Sequence, residues 1–108
     1  MAGILGDRAR EAMPSEIVWL PGASRDVDRL RNFIKSENPR AAQRAAKRII
    51  EGVLILTENP AAGVPVENLM DYRDLTLPFG SGEYIIRYHE EPQSVVIVSV
   101  RHSKEKGF

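Results

Sequence analysis

The stretch Ser94-Val95-Val96-Ile97-Val98-Ser99-Val100 decides how the rest of the chain is read. β-Branched side chains lose little by lying on a pleated surface and pack well against their neighbours there, so this run is a strand. It follows a turn at Glu90-Glu91-Pro92-Gln93. Upstream of that turn, Tyr84-Ile85-Ile86-Arg87-Tyr88 is again aromatic and β-branched, and Gly80-Ser81-Gly82 separates it from Arg73-Asp74-Leu75-Thr76-Leu77, where apolar and polar residues alternate. Connections this short cannot carry a parallel crossover, which needs a dozen or more residues, so the three strands form an antiparallel meander. The 94–100 run is apolar on both sides. Val95 and Ile97 fall on one face, and Val96, Val98 and Val100 on the other, a pattern that implies cover on both faces.

Working toward the N-terminus, Asn59-Pro60 with Gly63 and Pro65 marks a loop over residues 61–71. Before it, Ala42, Ala45, Ala46, Ile49, Ile50, Val53 and Leu54 recur at three- and four-residue spacing and predict a helix running to Thr57. Asn38-Pro39 opens it: the Asn side chain accepts from amides of the first turn, and Pro at the first helical position has no amide to leave orphaned. An earlier helix of about three turns is predicted from Val27, Leu30, Phe33 and Ile34, with Ser24 as its cap. Small alanines let the two helices approach closely as an antiparallel hairpin. Glu16-Ile17-Val18-Trp19-Leu20, stopped by Pro21-Gly22, reads as a first strand. The expected architecture is α+β, in the order β-α-α-β-β-β, an antiparallel sheet with a helix hairpin packed on one face. Two helices cover only one face of that sheet. The other face is left for the N-terminal segment, a second copy or a partner chain.

Composition narrows the functional classes. A chain of 108 residues holds one small core. It has no cysteine, which excludes disulfides and thiolate metal sites, and only two histidines, so no metal and no cofactor is expected. No run approaches the ~20 apolar residues of a membrane span, and the leading residues lack a signal-peptide core, so a soluble cytoplasmic protein is expected. Fifteen basic and fifteen acidic residues cancel, which argues against binding nucleic acid by bulk charge. Residues 24–51, however, hold eight basic against four acidic side chains, a basic face on the helices.

Taken in order, Asn38-Pro39-Arg40-Ala41-Ala42, Asn59-Pro60-Ala61-Ala62-Gly63, Arg73-Asp74-Leu75, Tyr84-Ile85-Ile86-Arg87-Tyr88 and Val95-Val96-Ile97-Val98-Ser99-Val100-Arg101-His102 resemble the ParE branch of the ParE/RelE toxin superfamily, the plasmid-stabilisation type of toxin in type II toxin–antitoxin systems. The resemblance covers residues 16–104. It implies a toxin neutralised by a cognate antitoxin whose C-terminal segment wraps it, which would also account for the strand that is apolar on both faces. ParE-like members are reported as inhibitors of DNA gyrase, a protein target, whereas RelE-like members cut messenger RNA on the ribosome. Nucleic acid would then enter only through RNA cleavage or through the antitoxin.

Cleavage through a 2′-hydroxyl nucleophile needs a base, cations for the developing phosphorane charge and a donor for the leaving oxygen. RelE-like members commonly place an arginine after the aromatic that opens the third strand, and a tyrosine in a C-terminal extension. Here Ile85 follows Tyr84, and the chain stops at Phe108. What survives of the kit is His102 as acid or base, Arg73, Arg87, Arg101 and Lys104 as phosphate partners and Tyr88 as donor. Arg73, Arg87, Arg101, His102 and Lys104, with Val95 and Ile97, are the candidates for contact with target or antitoxin. Each also has a plainer reading. His102 ends a strand, His89 lies in a turn beside Glu90, and Arg73 shares a face with Leu75 and Leu77, where it would need a carboxylate or carbonyl partner. Tyr84 and Tyr88 flank Ile86 as packing residues with their hydroxyls at the rim, and Trp19 anchors the core.

Inhibition by binding is the expected activity, with ribosome-dependent cleavage and a non-toxic antitoxin-binding module as alternatives. Residues 1–13 precede the resemblance and are expected to be an extension, with Met13 as the alternative start; residues 14–108 form the single domain. A native arm packing Ile4 and Leu5 on the sheet is the other reading.

Overall fold

The computed structural model describes residues 15–35 and 38–105, so the expectations for residues 1–13 and for Ile4 and Leu5 lie outside the described residues. Strand β1 (Glu16–Trp19) leads into α1 (Pro21–Lys35) and α2 (Pro39–Val53), and α2 ends in a tight 3-10 turn at Leu54–Thr57. Four further strands follow: β2 (Val64–Pro65), β3 (Tyr72–Phe79), β4 (Gly82–Glu90) and β5 (Ser94–His102). They form one sheet in the order β1-β5-β4-β3-β2.

The α+β class and the helix hairpin on one face are as expected, but the sheet is mixed rather than wholly antiparallel. β1 runs parallel to β5, with Glu16 opposite Ser94 and Trp19 opposite Ile97. Short turns force β3, β4 and β5 to be antiparallel; the whole helix hairpin and three strands separate β1 from β5, so that pair is free to be parallel. α1 also begins three residues before Ser24. Pro21, expected to close a turn, is the first helical residue, and Leu20 accepts the first helical bond from the Ser24 N–H at 3.1 Å. The same missing amide that suits Pro39 to a helix start suits Pro21. At α2 the Asn38 side chain accepts from the Ala41 N–H at 3.1 Å, as expected of a cap.

The core lies between the helix hairpin and one sheet face. Ala23 and Leu30 of α1 and Ala45, Ile49 and Val53 of α2 pack on Leu75, Leu77, Tyr84, Ile86, Tyr88, Val95, Ile97 and Val100. Burying one aliphatic side chain of this size contributes about 1.5–3 kcal/mol, so this layer dominates stability. Val100 belongs to it, against the strict alternation expected of β5. The register steps from Arg87 opposite Ser99 to Tyr88 opposite Ile97, leaving Val98 as an extra residue. One inserted residue reverses the face of everything beyond it, which brings Val100 under the helices with Val95 and Ile97.

Helix side chains bond to the stretches of β5 and β3 that the short edge strands β1 and β2 leave unpaired. On the β5 edge, Asp26 accepts from the Val100 N–H at 2.9 Å, and Arg29 donates to the Val100 carbonyl and pairs with Glu105. On the β3 edge, Arg48 donates to the Pro78 carbonyl at 3.2 Å, and Pro78 has no N–H to offer a neighbour.

Candidate functional site

The face turned away from the helices carries Arg87, paired directly across the β3–β4 ladder with Asp74. Nε and Nη2 of Arg87 donate to the two Asp74 carboxylate oxygens at 2.9 and 3.1 Å, a bidentate fork. That hydrogen bonding raises the Arg87 pKa, outweighing the opposing effect of partial burial, with the Asp74 charge adding to the rise. Arg101 stands opposite Ile85 and therefore diagonal to Arg87 on the same face, where it too is engaged.

His102 is the next residue along β5 and so points the other way. It stands opposite Tyr84, edge-on to that ring at 5.1 Å. Its Nδ1 accepts from the Lys104 N–H at 3.2 Å, while its own backbone N–H donates to Glu105 at 2.8 Å. An acceptor at Nδ1 leaves the neutral ring's proton on Nε2. Gly82 leaves room for this ring: a Cβ at that position would lie 2.6 Å from His102 Cε1. Lys104 extends to Ser81 Oγ at 2.8 Å.

Tyr88 is fully buried, not at the rim. Its hydroxyl donates to the Pro60 carbonyl at 2.5 Å and accepts from the Gly63 N–H at 2.9 Å, which fastens the 60–63 loop to the sheet. Burial raises its pKa, although the Gly63 hydrogen bond and Arg73 pull the other way. Arg73 completes the same fastening, with Nε on Glu90 at 3.0 Å and Nη1 on the Gly63 carbonyl at 2.8 Å. Val95 and Ile97, expected as contact residues, are 0% exposed beneath the helices. The apolar β5 residues on the opposite face are the half-buried Val96 and Val98. His89 lies within β4 rather than in a turn, edge-on to Tyr72 at 4.8 Å and 3.6 Å from Glu91.

Arg87 and Arg101 are thus brought together, as are His102 and Lys104 at the β3–β4 turn, but the two pairs face different ways and Tyr88 joins neither. Among the described residues no three metal-ligating side chains gather, and no helix is long and apolar enough to cross a membrane. Asp74 was missed because an acidic residue in an alternating strand gives no sign of its cross-strand partner. A second omission is the exposed Leu69-Met70 pair, for which two large apolar residues inside a polar loop were the available signal.

Residues 17–107 match the family model described as the ParE toxin of the type II toxin–antitoxin system parDE. The chain belongs to the ParE toxin family. Among curated proteins, this ParE-family chain is 34% identical over 86 residues to Toxin RelE3 of Caulobacter vibrioides, covering 80% of the chain and 91% of the relative. Toxin RelE1 of the same organism is 33% identical over 84 residues, covering 78% and 88%. Among solved structures, a chain of the chromosomal ParDE system from P. aeruginosa shares the fold with a TM-score of 0.70 at 23% identity, covering 82% of this chain and 95% of that one. As a ParE-family toxin of a type II system, the protein has a cognate antitoxin as its implied partner.

Proposed function

We propose that this toxin acts by binding, as an inhibitor of a host protein, and that the target is DNA gyrase, as the resemblance to the ParE branch implies. The observation that carries the reading is the scattering of the RNA-cleaving kit. Arg87 is neutralised by Asp74, the Tyr88 hydroxyl is consumed inside the core, and His102 points to the opposite face from Arg87 and Arg101. A base and the cations it serves must reach one scissile phosphate, and these do not. The antitoxin segment is assigned to the face of the sheet that the helices leave bare, along Val96 and Val98.

The relatives named RelE keep a second reading in view, in which the adjacent Arg87 and Arg101 hold RNA and His102 acts as acid or base. Purified toxin titrated into a gyrase supercoiling reaction separates the two. Inhibition by wild type that persists in His102→Ala supports binding. Supercoiling unaffected at saturating toxin, together with ribosomal message cleavage lost in His102→Ala and Arg87→Ala, supports the nuclease.

A further inference from the structure

Charge is segregated on this molecule although its sum is zero. On α2 and the first residue of the 3-10 turn that ends it, Arg40, Arg44, Lys47, Ile50 and Leu54 are all exposed, and at 100° per residue they fall on one stripe opposite the buried Ala42, Ala45, Ile49 and Val53. Lys47 pairs with Glu51, whereas Arg40 and Arg44 have no ion-pair partner among the described residues. The stripe is therefore cationic at its N-terminal half and apolar at its C-terminal half, with Ile50 51% and Leu54 54% exposed.

The loop at residues 66–71 is its complement. Leu69 is 42% and Met70 86% exposed, between the exposed Glu67 and Asp71, neither of which has an ion-pair partner among the described residues. The loop holds this shape internally. The Val66 N–H donates to the Tyr72 carbonyl at 2.9 Å, and the Glu90 N–H ties down the Asp71 carbonyl at 2.9 Å. Asn68 and Asp71 accept left-handed backbone angles, φ 66° and 65°, so that the loop closes with its apolar tip outward. Beside the tip is an open cavity of about 500 Å³ walled by Pro65, Leu69, Met70 and Tyr72. Its one cation, Arg73, is already taken by Glu90.

We infer that a second copy of this chain docks its 66–71 loop onto the exposed stripe of α2, Glu67 and Asp71 meeting Arg40 and Arg44 while Leu69 and Met70 cover Ile50 and Leu54. The loop carries an anion on each side of two apolar side chains and the stripe carries two cations and two apolar side chains, none of the four charges ion-paired among the described residues, so both halves of the contact are present on one molecule. The two surfaces are different, so the contact is head-to-tail and does not end at a dimer unless a ring closes. Exposed charges screened over a Debye length of about 8 Å at physiological salt make the association salt-sensitive.

Sedimentation velocity on the purified full chain, over a range of concentrations at low and high salt, tests this. The expected result is a mass that rises with concentration at low salt and falls back to the monomer at high salt. Glu67→Arg and Arg44→Glu, both at exposed positions, each shift the association to about tenfold higher concentration. An equimolar mixture of the two variants associates again, because the unaltered loop of Arg44→Glu then meets the unaltered helix of Glu67→Arg. A wild-type monomer at every concentration overturns the inference, as does association indifferent to both reversals or a mixture that fails to recover. A salt-insensitive dimer abolished by Val98→Asp would instead place the contact on the bare sheet face.

Discussion

Tyr88 shows what a single residue does here. Its hydroxyl accepts from the buried Gly63 N–H and donates to the Pro60 carbonyl, so Tyr88→Phe strands a donor and an acceptor. The expected loss is about 1–3 kcal/mol in urea denaturation, with target inhibition by the folded fraction unchanged. A leaving-group donor would behave the opposite way, losing activity at constant stability. Burial also raises the pKa of Tyr88 and of Tyr84, the latter helped by the charge of Glu105. Both folded-state values lie above the unfolded value of about 10, so the native state keeps protons that the unfolded chain releases. Stability is complete below that value and is lost as pH rises through it toward the folded values; in Tyr88→Phe the alkaline loss, followed by denaturation at successive pH, is shallower. Arg73 was readable at this scale, since a guanidinium sharing a face with Leu75 and Leu77 needed partners and has them in Glu90 and Gly63. The Tyr88 bonds were not, because the loop that supplies them lies 25 and 28 residues away in sequence.

At the scale of elements, local chemistry was legible wherever one residue sets the backbone. Asn38 and Pro39 start α2 as their side chains dictate, and Asn38→Ala is expected to remove about 1 kcal/mol of stability, measured by thermal or urea unfolding, since the Ala41 N–H loses its acceptor. Pairing between distant elements was not legible. Whether β1 lies parallel or antiparallel to β5 depends on the path through the helices, and no residue in Glu16–Trp19 records it. The bulge at Val98 is equally silent, because a run of valines looks the same in either register. That one inserted residue moved Val100 into the core. Alternation put Val95 and Ile97 on one face together, but the sequence left undecided which of the two faces of β5 the helices would take.

For the whole molecule, the ParE-family fold followed from the order of its elements, while the chemistry depended on convergence that sequence does not display. His102, Arg87, Arg101 and Tyr88 all exist, and the sheet distributes them over two faces and a core. Inhibition by binding is the reading that this distribution favours. Inducing the chain alone in a bacterial host, while following growth, plasmid supercoiling and translation together, tests it most directly. Supercoiling lost early with messages intact and translation continuing is the predicted result; early arrest of translation with cleaved messages, abolished by His102→Ala, would contradict it.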